Sequence, residues 1–294
     1  MMRILLFLGT NMAVLVLVGI VMSVFGEPIL AQNGVDLNLT GLLIYSAAFG
    51  FIGSFVSLFL SKWMAKRSAN VHLIESSQNP EERWLVETVA DLAAKANIKM
   101  PEVGIFPGDQ PNAFATGWNK NDALVAVNTG LLRSMDKNEV RAVLAHEIAH
   151  VANGDMVTLS LIQGVVNTFV IFFSRIIGHF VDRVLLKNDR GHGIGYIVSS
   201  LVAQVVLGFL ASAIVMWFSR RREFRADEGG ALYADRDSMI GALESLKRGS
   251  QMPNEMPANM QAFGISEGTR QGLAALFASH PSLDVRIAAL QNLR

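Results

Sequence analysis

Residues 194–218 are 25 consecutive positions without a charged side chain. A run of about 20 apolar residues coiled as an α-helix satisfies its own backbone hydrogen bonds and crosses the hydrocarbon core of a bilayer. Three more runs have this character: residues 4–24 and 42–60, both uncharged, and residues 157–177, with Gln163 and Asn167 inside and Arg175 near the end. Apolar residues make up 51% of the 294 and charged ones 17%, against roughly 25% charged in soluble domains. Mean hydropathy is +0.35. These features describe an integral membrane protein with a soluble part. The first run exceeds the roughly 7–15 apolar residues of a signal peptide and no A-x-A site follows, so it reads as an uncleaved anchor.

The flanking charges orient the spans. Arg3 precedes the first run, residues 26–40 hold Glu27 and Asp36 but no Lys or Arg, and Lys62, Lys66 and Arg67 follow the second. Positive charge stays on the cytoplasmic side, so the N-terminus and the chain after residue 61 belong there. Arg220, Arg221 and Arg222 close the fourth run in the same way. Residues 157–177 and 194–218 then form an apolar hairpin that returns the chain to its starting side. Arg183, Lys187 and Arg190 between them conflict with simple translocation, which leaves a shallow, non-spanning pair open. The expected organisation is a transmembrane hairpin over 1–61, a first part of a cytoplasmic domain over 62–156, the second hairpin over 157–218, and the rest of the domain over 219–294. Zero net charge gives no ground for a nucleic-acid partner. Without cysteine there is neither a disulfide nor a thiolate nucleophile or ligand.

The chemistry concentrates in His146-Glu147-Ile148-Ala149-His150. Residues four apart share a helix face, so the two imidazoles can serve one metal ion, with Glu147 placed to act on a water there. Asp136 with Glu139 three residues later reads as a capping box that starts this helix. Val140, Leu144 and Val151 form an apolar stripe, and the histidines fall beside it, facing a cleft. Catalytic zinc takes three protein ligands and keeps one position open. Of the other candidates (His72, His179, His192, His280 or a carboxylate), Glu223 is the best, directly after the fourth run. Asp227, one helical turn on, is then placed to orient a ligating histidine. Glu147 is the expected general base. Asn112 is a candidate for bonding a substrate backbone and His280 for donating to the oxyanion.

Around the motif the spacing predicts a packing helix over 83–96 and short strands over 103–106 and 123–127, joined as a small antiparallel sheet. A helix is expected over 224–248, and two short helices over 273–294 broken at His280-Pro281. Residues 249–270, with Pro253, Pro257, Met252, Met256 and Met260, read as an irregular surface loop or a flap over the cleft. A substrate would add as a strand beside residues 123–127.

The combination of Asn112-Ala113-Phe114-Ala115-Thr116-Gly117, the histidine motif, Asn153-Gly154-Asp155, Glu223-Phe224-Arg225-Ala226-Asp227 and His280-Pro281 resembles the HtpX family of heat-shock membrane proteases. These lie within a wider group of zinc peptidases that includes the CAAX prenyl proteases. The resemblance implies a mainly α membrane protein carrying an α+β zincin-type (gluzincin) domain with a small sheet. It implies one Zn²⁺ per chain on His146, His150 and Glu223, with Glu147 as base. It also implies a bacterial inner-membrane endopeptidase that cleaves damaged or misfolded membrane proteins from the cytoplasmic side, with the bilayer and such polypeptides as its partners. Two other readings stand beside this one: a non-proteolytic membrane chaperone or scaffold with structural zinc, and a site-specific processing protease.

Overall fold

The computed structural model describes residues 2–76, 79–188, 191–249, 265 and 278–293. Helix α1 (Met2–Val21) passes through a π-helical turn at Met22–Gly26 into α2 (Glu27–Gln32). After α3 (Leu39–Ser68) come β1 (His72–Leu73), α4 (Pro80–Lys95), β2 (Glu102–Phe106), β3 (Ala113–Asn119), β4 (Asp122–Asn128), α5 (Thr129–Ser134) and α6 (Lys137–Asn153). Then follow α7 (Asp155–Phe180), a second π-helical turn at Val181–Leu185, α8 (Ile194–Tyr233), α9 (Arg236–Gly249) and α10 (Leu283–Gln291). The protein is mainly helical, and four stretches are long and apolar enough to cross a membrane: Met12–Gln32, Leu39–Ser68, Asp155–Leu185 and Ile194–Tyr233.

The chain divides into two compact units. One comprises residues 1–56 and 160–215. Its helices pack through small residues, as expected where lipid offers no hydrophobic contrast and close backbone approach supplies the attraction. A Cβ added to Gly50 would stand 2.7 Å from the Thr168 backbone nitrogen of α7, and Ser160 donates to the Ser54 carbonyl at 2.8 Å. Leu15, Leu39, Leu43 and Phe172 fill the space alongside. Ile44, Phe49, Ile197 and Val205 point outward, as lipid-facing side chains do.

The other unit comprises residues 57–159 and 216–294 and contains the sheet, in the order β1-β2-β4-β3. Here the structure corrects the expected antiparallel pair: β2 and β4 run parallel, from Glu102 opposite Leu124 to Phe106 opposite Asn128. The reason is that 113–119, read as the link between two strands, is itself a strand. It turns over residues 120–121 into an antiparallel hairpin with β4, which reverses the direction of β4 relative to a two-strand reading. Gly117, in the left-handed region at φ 147°, sits at a bulge where an added Cβ would lie 2.3 Å from the Asp122 carbonyl. The sheet is therefore mixed, and β4 has neighbours on both sides. A substrate strand cannot add beside 123–127; β3 is an edge of the sheet, and its Ala113 carbonyl accepts from the Ile265 N–H at 3.1 Å.

Helix α6 packs on β3 and β4 and is covered by α4 and α9. Leu85, Val89 and Leu92 of α4, Val140, Leu144 and Ile148 of α6, and Met239, Leu243 and Leu246 of α9 form its core. The capping box at Asp136 and Glu139 is present in both directions. Gly154, at φ 69°, ends α6 in the left-handed conformation that lacks the Cβ penalty. The helix expected over 224–248 is two helices. α8 continues from the fourth apolar run to Tyr233, and Asp235 then starts a new helix by accepting from the Ser238 N–H at 2.8 Å. Of the two C-terminal helices, α10 is seen; the first, with most of the 249–270 segment, lies outside the described residues.

Candidate metal centre

The site is assembled by α6 and the last four turns of α8. Gly229 lets them meet: a Cβ there would stand 2.4 Å from the Ala149 Cβ. This approach carries Glu223 and Asp227, one turn apart, to the two histidines. His146 Nε2 and His150 Nε2 face each other at 3.1 Å. The Glu223 carboxylate lies 3.6 Å from the first and 3.3 Å from the second. The α6 histidines are almost wholly enclosed, at 0% and 9% exposure.

The far side of each imidazole is held by a carboxylate. Asp227 Oδ1 is 2.9 Å from His146 Nδ1, and Asp155 Oδ2 is 2.7 Å from His150 Nδ1. Each carboxylate takes an Nδ1–H and so turns a neutral Nε2 lone pair toward the shared centre. Two lone pairs and a carboxylate converging in a buried space repel one another unless a cation sits between them. Ligands bonded to zinc at about 2.0–2.1 Å in a tetrahedron stand roughly 3.3–3.4 Å apart; the three separations here, 3.1, 3.3 and 3.6 Å, bracket that value. The donor set fits a metal ion.

Two further residues, Asp155 and Arg286, belong to the site without standing among the candidate ligands of the sequence. Asp155 carries a partial signal, an acidic residue at the next helix start after Gly154. Arg286 carries none, because a lone arginine on a short terminal helix looks like a surface charge. Yet it is fully buried, and it grips Asp227 with Nε at 2.8 Å and a terminal nitrogen at 2.6 Å. Its other terminal nitrogen stands 3.6 Å from Glu223. Burial works against the guanidinium charge, but Asp227 and then Glu223 outweigh it and raise the pKa above its ordinary value.

A small cavity of about 10 Å³ lies over this centre, lined by Ala115, His146, Glu147, His150, Met156, Arg222, Glu223, Ile265 and His280. Burial pushes the Glu147 carboxyl up against the opposing pull of the two histidines. Burial also works against protonation of His150, but Glu223 and Asp155 prevail and raise it to about 9. His280 Nδ1 lies 2.7 Å from Glu223 Oε2. Asn112 sits apart from the cavity wall: its side-chain oxygen accepts from the N–H of Ala113 at 2.9 Å and of Ile265 at 3.0 Å.

A model of peptidase family M48 matches residues 79–294. The chain belongs to peptidase family M48. It is 61% identical to Protease HtpX of Hahella chejuensis and 60% identical to Protease HtpX of Pseudomonas entomophila, in each case over 99% of both chains. The fold is similar to that of S. mikatae Ste24p, with a TM-score of 0.62 at 18% identity over 95% of this chain and 67% of that one. This M48 chain is a metallopeptidase whose apolar helices suit it to a membrane, and His146, His150 and Glu223 are the residues that could hold its ion.

Proposed function

We propose that this M48 chain is an integral membrane zinc endopeptidase of the bacterial inner membrane, working from the cytoplasmic side on damaged or misfolded membrane proteins. The observation that carries the chemistry is the convergence of two carboxylate-anchored imidazoles and Glu223 below a cavity that also contains Glu147. His146, His150 and Glu223 would hold the zinc, which when bound would supply polarisation of a scissile carbonyl and a more acidic water. Glu147, whose carboxyl is pushed up by burial, would serve as the base that takes a proton from a water at the centre and returns it to the leaving amine. His280 stands on the wall as the donor to the developing oxyanion. Asp227 and Asp155 keep the imidazoles in one tautomer, and Arg286 keeps Asp227 in place.

The substrate strand adds to the outer edge of β3. The Ala113 carbonyl already points outward, accepting from Ile265 at 3.1 Å, and antiparallel alternation makes Ala115 the next outward residue. Ala115 lines the cavity, so a backbone paired there passes over the metal centre. Asn112 acts one step back, fixing the start of that edge. The domain plan is one soluble peptidase domain, interrupted between 157 and 218 by the second hairpin. Positive charges after residue 61 and at 220–222 support the cytoplasmic assignment, and the relatives named Protease HtpX support the peptidase activity. A closed structural zinc site needs a fourth protein ligand; the described residues supply three. The test is Glu147→Gln in the full-length protein: zinc content stays and cleavage of a misfolded membrane substrate disappears, whereas undiminished cleavage refutes the role. Glu223→Ala should strip the zinc, and unchanged metal content would remove it from the ligand set.

A further inference from the structure

We infer that the tip of the β3–β4 hairpin is seated in the headgroup region of the bilayer, with Trp118 as its anchor. Trp118 is 42% exposed at the end of β3. Its ring packs on Phe59 of α3, with centroids 5.4 Å apart. Phe59 is the penultimate residue of the uncharged run 42–60, just before Lys62. That position is where an apolar helix leaves the acyl chains, so Trp118 stands at the same depth as the end of the span. Phe59 and Trp63 are 66% and 62% exposed on α3 and continue the apolar surface. Tryptophan favours this boundary because its ring is apolar and its N–H needs a polar partner. Here the partner is Asp122, at 2.6 Å.

The local charges fit a lipid surface. Asp122 and Glu102 would be repelled by anionic headgroups, but Lys62 holds them at 2.5 Å and 2.9 Å, and Lys66 also pairs with Glu102. Two carboxylates and two ammonium groups cancel. Lys120, exposed in the turn, is left to meet the phosphates of an anionic surface. The same ion pairs bolt the hairpin to the end of α3, so its depth follows the helix.

The consequence rests on the reading that substrate pairs with β3. Trp118 is three residues from Ala115, about 10 Å along a strand. A polypeptide leaving the bilayer beside this hairpin would meet the β3 edge within a few residues, which suits substrates still partly in the membrane.

Seating is tested in full-length Glu147→Gln protein with Trp63, Trp84 and Trp217 replaced by phenylalanine. It is reconstituted in phosphatidylcholine–phosphatidylglycerol vesicles whose acyl chains are brominated either near the headgroup or near the chain end. Trp118 should lose most of its fluorescence with shallow bromines and less with deep ones. A matching protein retaining only Trp84, which packs against the soluble core, should stay bright. Trp118 no more quenched than Trp84 would overturn the proposal. In the active enzyme, Trp118→Gln should raise KM several-fold for a membrane-anchored substrate and leave a soluble peptide of the same sequence unchanged; equal loss on both overturns the coupling. If wild-type enzyme cleaves neither, the protease reading fails while the quenching result stands.

Discussion

Arg286 illustrates how much of the centre is held from behind. Its guanidinium is fully buried and bonded twice to Asp227, which in turn bonds His146 Nδ1. Replacing it with methionine keeps bulk but leaves Asp227 a buried charge without its main partner, a change that typically costs about 3–5 kcal/mol. Loss of such an outer anchor also lowers metal affinity about 10–100-fold. Arg286→Met should therefore lower both the melting temperature and the zinc affinity measured by competition with a chelating dye. A variant that binds zinc as tightly as wild type would show that Asp227 needs no such support. His150 gives a pH signature. Its folded pKa of about 9 lies above the ordinary 6.5, so the metal-free site is protonated at neutral pH and zinc must displace that proton. Zinc affinity should rise roughly tenfold per pH unit from 7 toward 9 and then level off. Calorimetric titration at pH 7.5 in buffers of different ionisation enthalpy should register about one proton released per zinc.

The elements around the centre differ in how openly the sequence displays them. The apolar runs, the capped α6 and the His146–His150 pair are local patterns of charge and periodicity; four long apolar helices, the capping box and the paired histidines are all found, with the first apolar stretch at Met12–Gln32 rather than 4–24. Glu223 was findable because it follows an apolar run directly, and α8 carries straight through that boundary to bring it in. The parallel pairing of β2 and β4 was hidden because residues 113–117, Ala-Phe-Ala-Thr-Gly, look like a loop motif and act as an edge strand. Arg286 was hidden because burial of a lone charge is a tertiary fact. Gly229 belongs to the same class: nothing about a glycine in Glu228-Gly229-Gly230 announces a helix crossing, yet an added Cβ would meet Ala149 at 2.4 Å. Gly229→Ala should push α8 away from α6, cost about 1–3 kcal/mol as overpacking does, and lower zinc occupancy. Adding Ala149→Gly should restore much of the occupancy, less about 1 kcal/mol of stability for glycine in a helix interior. Failure of the double variant to recover zinc would mean the crossing does not set the ligand geometry.

Across the whole molecule the centre joins residues far apart in the chain: His146 and His150 on α6, Glu223 on α8 and His280 before α10. An ion there ties α6 to α8 and stabilises the folded state by RT ln(1 + [M]/Kd), about 4 kcal/mol at a thousandfold excess over Kd. That free energy acts on one unit. Among the described residues, the helices of residues 1–56 and 160–215 contribute none of the three candidate ligands, and they pack through contacts such as Gly50 against Thr168. Chelation should therefore raise hydrogen exchange selectively. Amides of α6 and of residues 219–233 should lose protection, because the ion no longer ties their ligands together, while residues 42–56 and 160–215 in the same reconstituted sample keep theirs. Mass-spectrometric exchange of Glu147→Gln protein, with and without a chelator, reads this without interference from self-cleavage. Uniform loss of protection through both units would show that the metal holds the entire fold together. Selective loss would show that the spans are stable alone and that the peptidase unit acquires part of its rigidity with its ion.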